Sequence, residues 1–346
     1  MGVRENYFNG ILKNASTYYQ SRVGIANGMN IDELAGTILQ DKALRNEFID
    51  AIVNKVGLSL VRTKIIEDKL SLLDGESLPF GASIEEIVTN PAIARKYDMN
   101  SDELLKNKMP DVKALYYGIN RESVYEVTIS YEMLRRGFRS DGTFTTMLSS
   151  IVSSLYSGDK LDNMILKKQL VKHAVTNKNI VIRPHTKNVE DMTVDDVTNL
   201  MEEIIVDSLN MVYPSSSYNM YSKVASETEN STKKNYVVTF TDLKDQYILI
   251  RNDIYTKMNV QVLATRMNMS KAELLGKIIP IDNFDNAKVM AIITDKAWWV
   301  INDLIYELDE FSNAANLTRK SFLHHHQICR YSMFANAIAY TYGDVE

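Results

Sequence analysis

One run constrains this chain more than any other. Between residues 142 and 177, Phe144, Met147, Leu148, Ile151, Val152, Leu155 and Tyr156 recur at i, i+3, i+4, i+7 spacing. The stripe resumes at Leu161, Ile165, Leu166 and Leu170. Asp141 or Thr143 can cap its start. About 36 residues at about 1.5 Å rise predict a helix of roughly 54 Å, longer than an ordinary domain helix. Gly158-Asp159, near the middle, is where it can bend. Its later half carries Lys160, Lys167, Lys168, Lys172 and Lys178. Two readings stand: a solvated face whose cations suit the helix C-terminus, or a surface lining an interior that holds DNA by weak, salt-sensitive contacts.

The segments before it are unlike a compact domain. Residues 1–30 carry Arg4, Lys13 and Arg22 against Glu5 alone, opposite in sign to the whole chain. They also hold Tyr7, Phe8, Ile11, Leu12, Tyr18 and Tyr19, many large apolar groups for a solvated tail. A partly ordered terminus and an arm docked on a neighbouring subunit both remain open. Residues 30–56 read as a helical pair, with Asp32 near the first start and Leu34, Ile38 and Leu39, then Leu44, Phe48, Ile49, Ile52 and Val53, at helical spacing. LSLVRTKII over 58–66 reads as a strand.

Residues 67–112 hold three of the chain's six prolines, an Asp74-Gly75 turn signal and SIEEIVTNPAIARKY, which reads as an acidic helical piece. About 45 such residues far exceed an ordinary loop, so the section is disordered or a functional projection. A strand returns over 113–130, with Val112, Ala114 and Tyr116 alternating, then Val124, Val127 and Ile129. The expectation is an extended two-stranded arm. Leu70, Leu72, Leu73, Leu78 and Phe80 are its candidate anchors on a neighbour, beside Tyr7 and Phe8 of the N-terminal segment.

Residues 179–300 alternate strand and helix around a central sheet. NIVIRP, KNYVVTF, QYILIRN, GKIIPID and AKVMAIITD read as strands. TVDDVTNLMEEIIVDSLNMVY, with Thr193 as cap, and DIYTKMNVQVLATRMN read as helices. The polar stretch between Pro214 and Lys234 reads as a surface loop. The chain closes on SFLHHHQICRYSMFANAIAYTYG, strand-like and aromatic.

Composition excludes several classes. A net charge of -5 argues against a strongly basic nucleic-acid binder. A single cysteine, Cys329, cannot form an internal disulfide and fits a reducing compartment. The N-terminus has no apolar signal region and no run of about 18 apolar residues occurs. Neither phosphate-cradling glycine pattern is present, nor G-x-S-x-G, nor H-E-x-x-H. His324-His325-His326 is the obvious metal candidate, but on a strand only His324 and His326 share a face. A polar edge or subunit contact is the better reading, so no metal, cofactor or catalytic residue is expected. Cys329 reads as a small buried hydrophobe, Trp298-Trp299 as packing, and Asp195-Asp196 and Glu202-Glu203 as solvated helix faces. The surplus of 19 Tyr and 16 Met suits contact surfaces as well as cores.

The order of these pieces resembles the major capsid protein of tailed bacteriophages, the Hong Kong 97-like fold. SIEEIVTNPAIARKYD, PDVKALYYGINRESVYEVTISYEMLRRGF, SSIVSSLYSGDKLDNMILKKQLV, DQYILIRNDI, GKIIPIDNFDNAKVMAIITDKAWW and YSMFANAIAY are similar in wording to the major head proteins of small short-tailed phages. The resemblance implies an α+β subunit: N-terminal arm and helices over 1–56, an extended loop over 57–135, and a peripheral domain with its spine helix over 136–178. An axial domain over 179–300 and a return to the peripheral domain over 301–346 complete it. It further implies a non-enzymatic shell protein that forms pentamers and hexamers of an icosahedral head around double-stranded DNA. Implied partners are copies of itself, scaffolding and portal proteins, and weakly held packaged DNA, with assembly in the host cytoplasm and no membrane. A bacterial nanocompartment shell of the encapsulin kind, sharing this fold, is the alternative; a metal-dependent enzyme using the terminal histidines is a more distant one.

Overall fold

The computed structural model describes residues 15–23, 37–38, 40–48, 66–94, 107, 109–130, 143–222, 236–258, 278–313, 315–316 and 318–343. They fall into two units. One comprises residues 1–69, 122–164 and 305–326; the other comprises 70–121, 165–304 and 327–346.

In the first unit, helix α1 (Thr17–Val23) lies near a second helical run over 42–48. Asp41 caps that run, its carboxylate accepting from the Ala43 and Leu44 amides at 2.8 and 3.4 Å. Tyr18 donates to the same carboxylate at 3.1 Å. Tyr19, Ile38, Leu44 and Phe48 are fully buried, so this part of the N-terminal region packs within its own chain. The predicted strand over 58–66 lies outside the described residues except for Ile66.

The arm is built from β1 (Ile84–Thr89) and β2 (Val112–Tyr117), paired antiparallel with Glu85 opposite Tyr116, Ile87 opposite Ala114 and Thr89 opposite Val112. This corrects the helical reading of SIEEIVT. Its β-branched Ile84, Ile87, Val88 and Thr89 favour a pleated strand, and the two glutamates that suggested a helix instead accept from the Tyr116 and Tyr117 hydroxyls across the pair. The returning strand is also two strands: β3 (Arg121–Ser130) begins after a break at 118–120.

Helix α2 (Thr143–Thr176) runs 34 residues without interruption, roughly 51 Å. A Cβ on Gly158 would stand 3.5 Å from the Tyr125 ring, and Asp159 is fully buried against His325. The pair that suggested a bend is therefore a packing site within an unbroken helix.

The second unit is centred on a five-stranded mixed sheet. Its members are β4 (Val181–His185), β5 (Gln246–Arg251), β6 (Ile278–Ile281), β7 (Val289–Asp295) and β10 (Ala337–Tyr342), in the order β4-β10-β7-β5-β6. β10 is parallel to β4 and antiparallel to β7, β7 is antiparallel to β5, and β5 is parallel to β6. Helix α3 (Val194–Asn210) starts at Thr193 with a full capping box to Asp196. Its Val197, Leu200, Met201 and Ile204 form one core with Ile248, Ile250, Ile293 and Tyr340. Short helix α4 (Asn252–Lys257) follows β5, and the rest of the helix predicted there lies outside the described residues. On another side, Leu249, Ile292, Trp298, Ile301 and Ala339 share a core with Val171, Ala174 and Val175 of α2. A three-stranded sheet of order β3-β9-β8 adds β8 (Trp299–Asn313) and β9 (Thr318–Tyr331).

The closing strand, β10, is inserted between β4 and β7, where Ile338, Ala339 and Tyr340 have both faces covered. One further expectation is corrected. KNYVVTF forms only an isolated bridge among its described residues. Its backbone groups are met by side chains instead: Ser222 accepts from Val237 N–H at 2.9 Å, and Asn90 accepts from Val238 N–H at 3.0 Å.

Replacing Ile292, fully buried at the sheet centre, with Ala is expected to cost about 2–5 kcal/mol. The exposed Ile87→Ala is expected to change stability by less than about 0.5 kcal/mol. Urea unfolding followed by the fluorescence of Trp298 and Trp299 checks both.

Candidate assembly surface

The arm belongs to the second unit and is tied down at its base. Gly75 donates to the Ile301 carbonyl at 2.7 Å and Leu78 to the Asp303 carbonyl at 2.8 Å. A Cβ on Gly75 would stand 2.6 Å from Asn302 Nδ2 and 2.9 Å from the Ile301 oxygen, so only glycine allows this approach. Beneath the arm, Leu78, Ala82, Ile84, Leu115 and Ile119 pack on Tyr117, Val300, Leu304 and Ile328. Two polar groups fasten its length. Glu86 accepts from Tyr117 and from Ser332, both at 2.7 Å. Asn90 donates to the Tyr236 carbonyl at 2.5 Å while accepting from Val238. Burial, then the Glu86 carboxylate, push the Tyr117 hydroxyl well above its ordinary pKa, so it stays a donor.

The period-two alternation sends the other residues outward. Ile87, Val112, Ala114 and Tyr116 line one face of the pair, and Phe80, Ile93 and Met109 are exposed nearby in the chain. Tyr116 is 70% exposed, Phe80 72% and Met109 85%. So many exposed apolar groups on a fastened element mark an interaction surface.

The structure divides the predicted contact residues. Tyr7 and Phe8 lie outside the described residues. Leu70 and Leu73 are buried in the chain's own core beside Val171 and Trp298, which corrects their reading as anchors. Leu78 is half-buried at the arm base, while Leu72 and Phe80 are exposed. Ile87, Tyr116, Ile93 and Met109 were not singled out. For Ile87 and Tyr116 the available signal was a strand pair carrying apolar residues on both faces.

The lysine stripe is also corrected. Lys167 is fully buried, 2.6 Å from Asp74 Oδ1, and donates to the Leu70 carbonyl at 3.0 Å. Lys168 pairs with Asp282 at 2.5 Å and Lys172 with Asp285 at 3.0 Å. Three of the five cations are therefore held by carboxylates within the second unit, and Lys160 keeps the DNA-facing reading as an expectation. Among the histidines, His325 pairs with Asp159 at 2.5 Å and packs edge-on against Tyr306, and His324 stands 4.0 Å from Asp309. Among the described residues, no group of three or more His, Cys, Asp and Glu gathers in a way that could hold a metal ion. Cys329 is buried, and burial pushes its thiol up to about 11, against the opposing pull of Arg121 and Lys167. Trp298 packs edge-on against Trp299 at 4.7 Å and stacks on Tyr331 at 5.4 Å.

A fastened arm with an exposed apolar face, a long helix and a mixed sheet closed by the last strand make up the fold of a phage capsid subunit. A chain in the capsid of Staphylococcus phage Andhra superposes with a TM-score of 0.65, covering 82% of this chain and 86% of its own at 16% identity. A chain from the structure of the head fibre and inner core protein of native bacteriophage P68 gives 0.60, over 80% and 85%, at 15% identity. The model of the Phi29-like phage major capsid protein family matches residues 8–341, and the chain belongs to that family. The major capsid protein of Bacillus phage B103 is 28% identical over 99% of this chain and 74% of its own length. That of Streptococcus phage Cp-1 is 26% identical over 95% and 91%. Family membership takes precedence over the compartment-shell alternative.

Lys167→Met is expected to destabilise by about 3 kcal/mol and Lys167→Ala by about 3–5 kcal/mol, because both leave the Asp74 carboxylate and the Leu70 carbonyl without their cation and Ala adds a void; chemical denaturation compares them. At pH 8 the folded chain is expected to resist thiol alkylation, with Cys329 labelled only after unfolding. Labelling followed by mass spectrometry checks this.

Proposed function

We propose that this chain is a structural, non-enzymatic subunit that assembles with copies of itself into the five- and six-membered rings of an icosahedral head enclosing double-stranded DNA. The observation that carries the reading is the outward face of the arm: Ile87, Val112, Ala114 and Tyr116 stand exposed on a strand pair whose other face is fastened. Each large apolar side chain fully buried on a neighbour contributes about 1.5–3 kcal/mol, before ordering costs. Leu72 and Phe80 add to this surface, and Tyr7 and Phe8 would extend it from the N-terminal segment. Scaffolding and portal proteins are the further partners in this reading, with assembly in the host cytoplasm. A net charge of -5 suits a wall that must not grip DNA that later leaves.

Ile87→Lys combined with Tyr116→Lys tests this. The expected outcome is a folded, soluble chain that yields no closed particles by negative-stain microscopy under conditions where the unaltered chain does. Particles at normal yield from the double variant would contradict the role given to this face.

A further inference from the structure

Two recesses flank the arm base, both within the second unit, and they differ in charge. The first, of about 670 Å³, lies along β1 and the start of β8. Leu78, Ile84 and Val300 give it apolar walls; Glu76, Asp242, Asp245 and Asp295 bring four carboxylates against Lys296. Lys244 stands 3.7 Å from Asp242 and offsets part of that charge. The second, of about 610 Å³, lies along β2 and the end of β9. Leu115, Leu166 and Leu170 supply its apolar walls, Arg121, Arg330 and His173 its basic groups, and no carboxylate lines it. Arg121 is buried, donating to Gln327 at 3.0 Å, while Arg330 and His173 are exposed. Glu85 and Glu86 stand behind the tyrosines of this side as their hydrogen-bond acceptors. Each recess also shows one exposed ring, Phe240 on the acidic side and Tyr116 on the basic side.

The strand orders place the recesses on opposite flanks. The arm has two strands, and each recess touches a different one. In the three-stranded sheet, the acidic recess takes residues from edge strand β8, and the basic one from β9 and the opposite edge strand β3. A cyclic ring of identical subunits joins two different patches of each copy, head to tail. Such patches must be complementary, because like charges brought together cost several kcal/mol.

We propose that the acidic recess beside β1 of one copy receives the basic flank beside β2 of the next, and that this pairing closes the rings. The inference rests on the self-assembly reading and names the two faces that meet. The facing aromatic rings supply the apolar centre of the contact and the charges its rim and direction.

Charge reversal tests it on the full chain. Glu76→Lys with Asp242→Lys makes both flanks basic; Gln169→Glu with Arg330→Glu makes the second flank acidic. All four positions are exposed. Each double variant alone is expected to stay folded by circular dichroism and to lose particle yield at least tenfold. The chain carrying all four changes is expected to recover assembly. An equal mixture of the two double variants must alternate around a ring, so it is expected to give six-membered rings but no five-membered rings and no closed shells. Unaltered particles from either double variant, or no recovery in the fourfold variant, would overturn the pairing while leaving the self-assembly reading in place. Failure of the unaltered chain to assemble would overturn the reading beneath it. A measurement without variants runs beside these: ring assembly of the unaltered chain is expected to weaken between 50 mM and about 500 mM salt as screening shortens the Debye length from about 14 to about 4 Å. Assembly that only strengthens with salt would contradict the pairing.

Discussion

Everything in the second unit depends on where the last strand goes. β10 supplies the only link between β4 on one side and β7 on the other among the described strands of the five-stranded sheet. Its Ile338, Ala339 and Tyr340 are fully buried. Tyr340 donates to Asp207 at 2.8 Å, and Asp207 in turn accepts from Arg183 at 3.2 Å, so one buried carboxylate joins β10, α3 and β4. Burial, then Asp207, push the Tyr340 hydroxyl well above its ordinary pKa and keep it a donor. Just before β10, Asn336 donates to Thr241 and accepts from Thr239, while Thr241 donates to Asp295. The five-stranded sheet cannot close until nearly the whole chain is present.

That dependence explains the division of labour within one sequence. Apolar residues with both faces covered build the sheet: VMAIITD is buried over six consecutive positions. The arm alternates instead, one face held on the body and the other presented. An apolar layer holds its base, and long-range polar contacts fasten its length: Glu86 to Ser332, Asn90 to the 236–238 backbone, Gly75 to Ile301. Apolar side chains such as Ile87, Val112 and Tyr116 thereby stay exposed on the outward face.

How far the sequence could be read depended on which physical signal carried each element. Strong periodicity was legible: the stripe from Phe144 to Leu170 predicted α2 to within a residue or two, and Thr193 marked the start of α3, whereas Asp196, read as a solvated helix face, closes the capping box with it. Elements whose polarity is satisfied at long range were not. IEEIVT looked helical because Glu85 and Glu86 suggested a solvated face; their partners, Tyr116 and Tyr117, lie 31 residues away. The lysines of α2 looked like one basic surface because Asp74, Asp282 and Asp285 come from distant loops. The buried face of β9 reads as polar because Arg319, Ser321, His325 and Gln327 all point inward, the first two to Glu310 and His325 to Asp159. Leu70 and Leu73 resembled exposed anchors because nothing local distinguishes them from Leu72, which is exposed.

The central claim is that the outward face of the arm is covered by another copy of this chain. A cryo-electron microscopy map of particles assembled from the purified chain, with scaffolding protein supplied if needed, tests it most directly. The account predicts closed shells in which Ile87 and Tyr116 are buried against a neighbouring subunit. Shells in which both side chains still face solvent, or a chain that stays monomeric under every assembly condition, would contradict it.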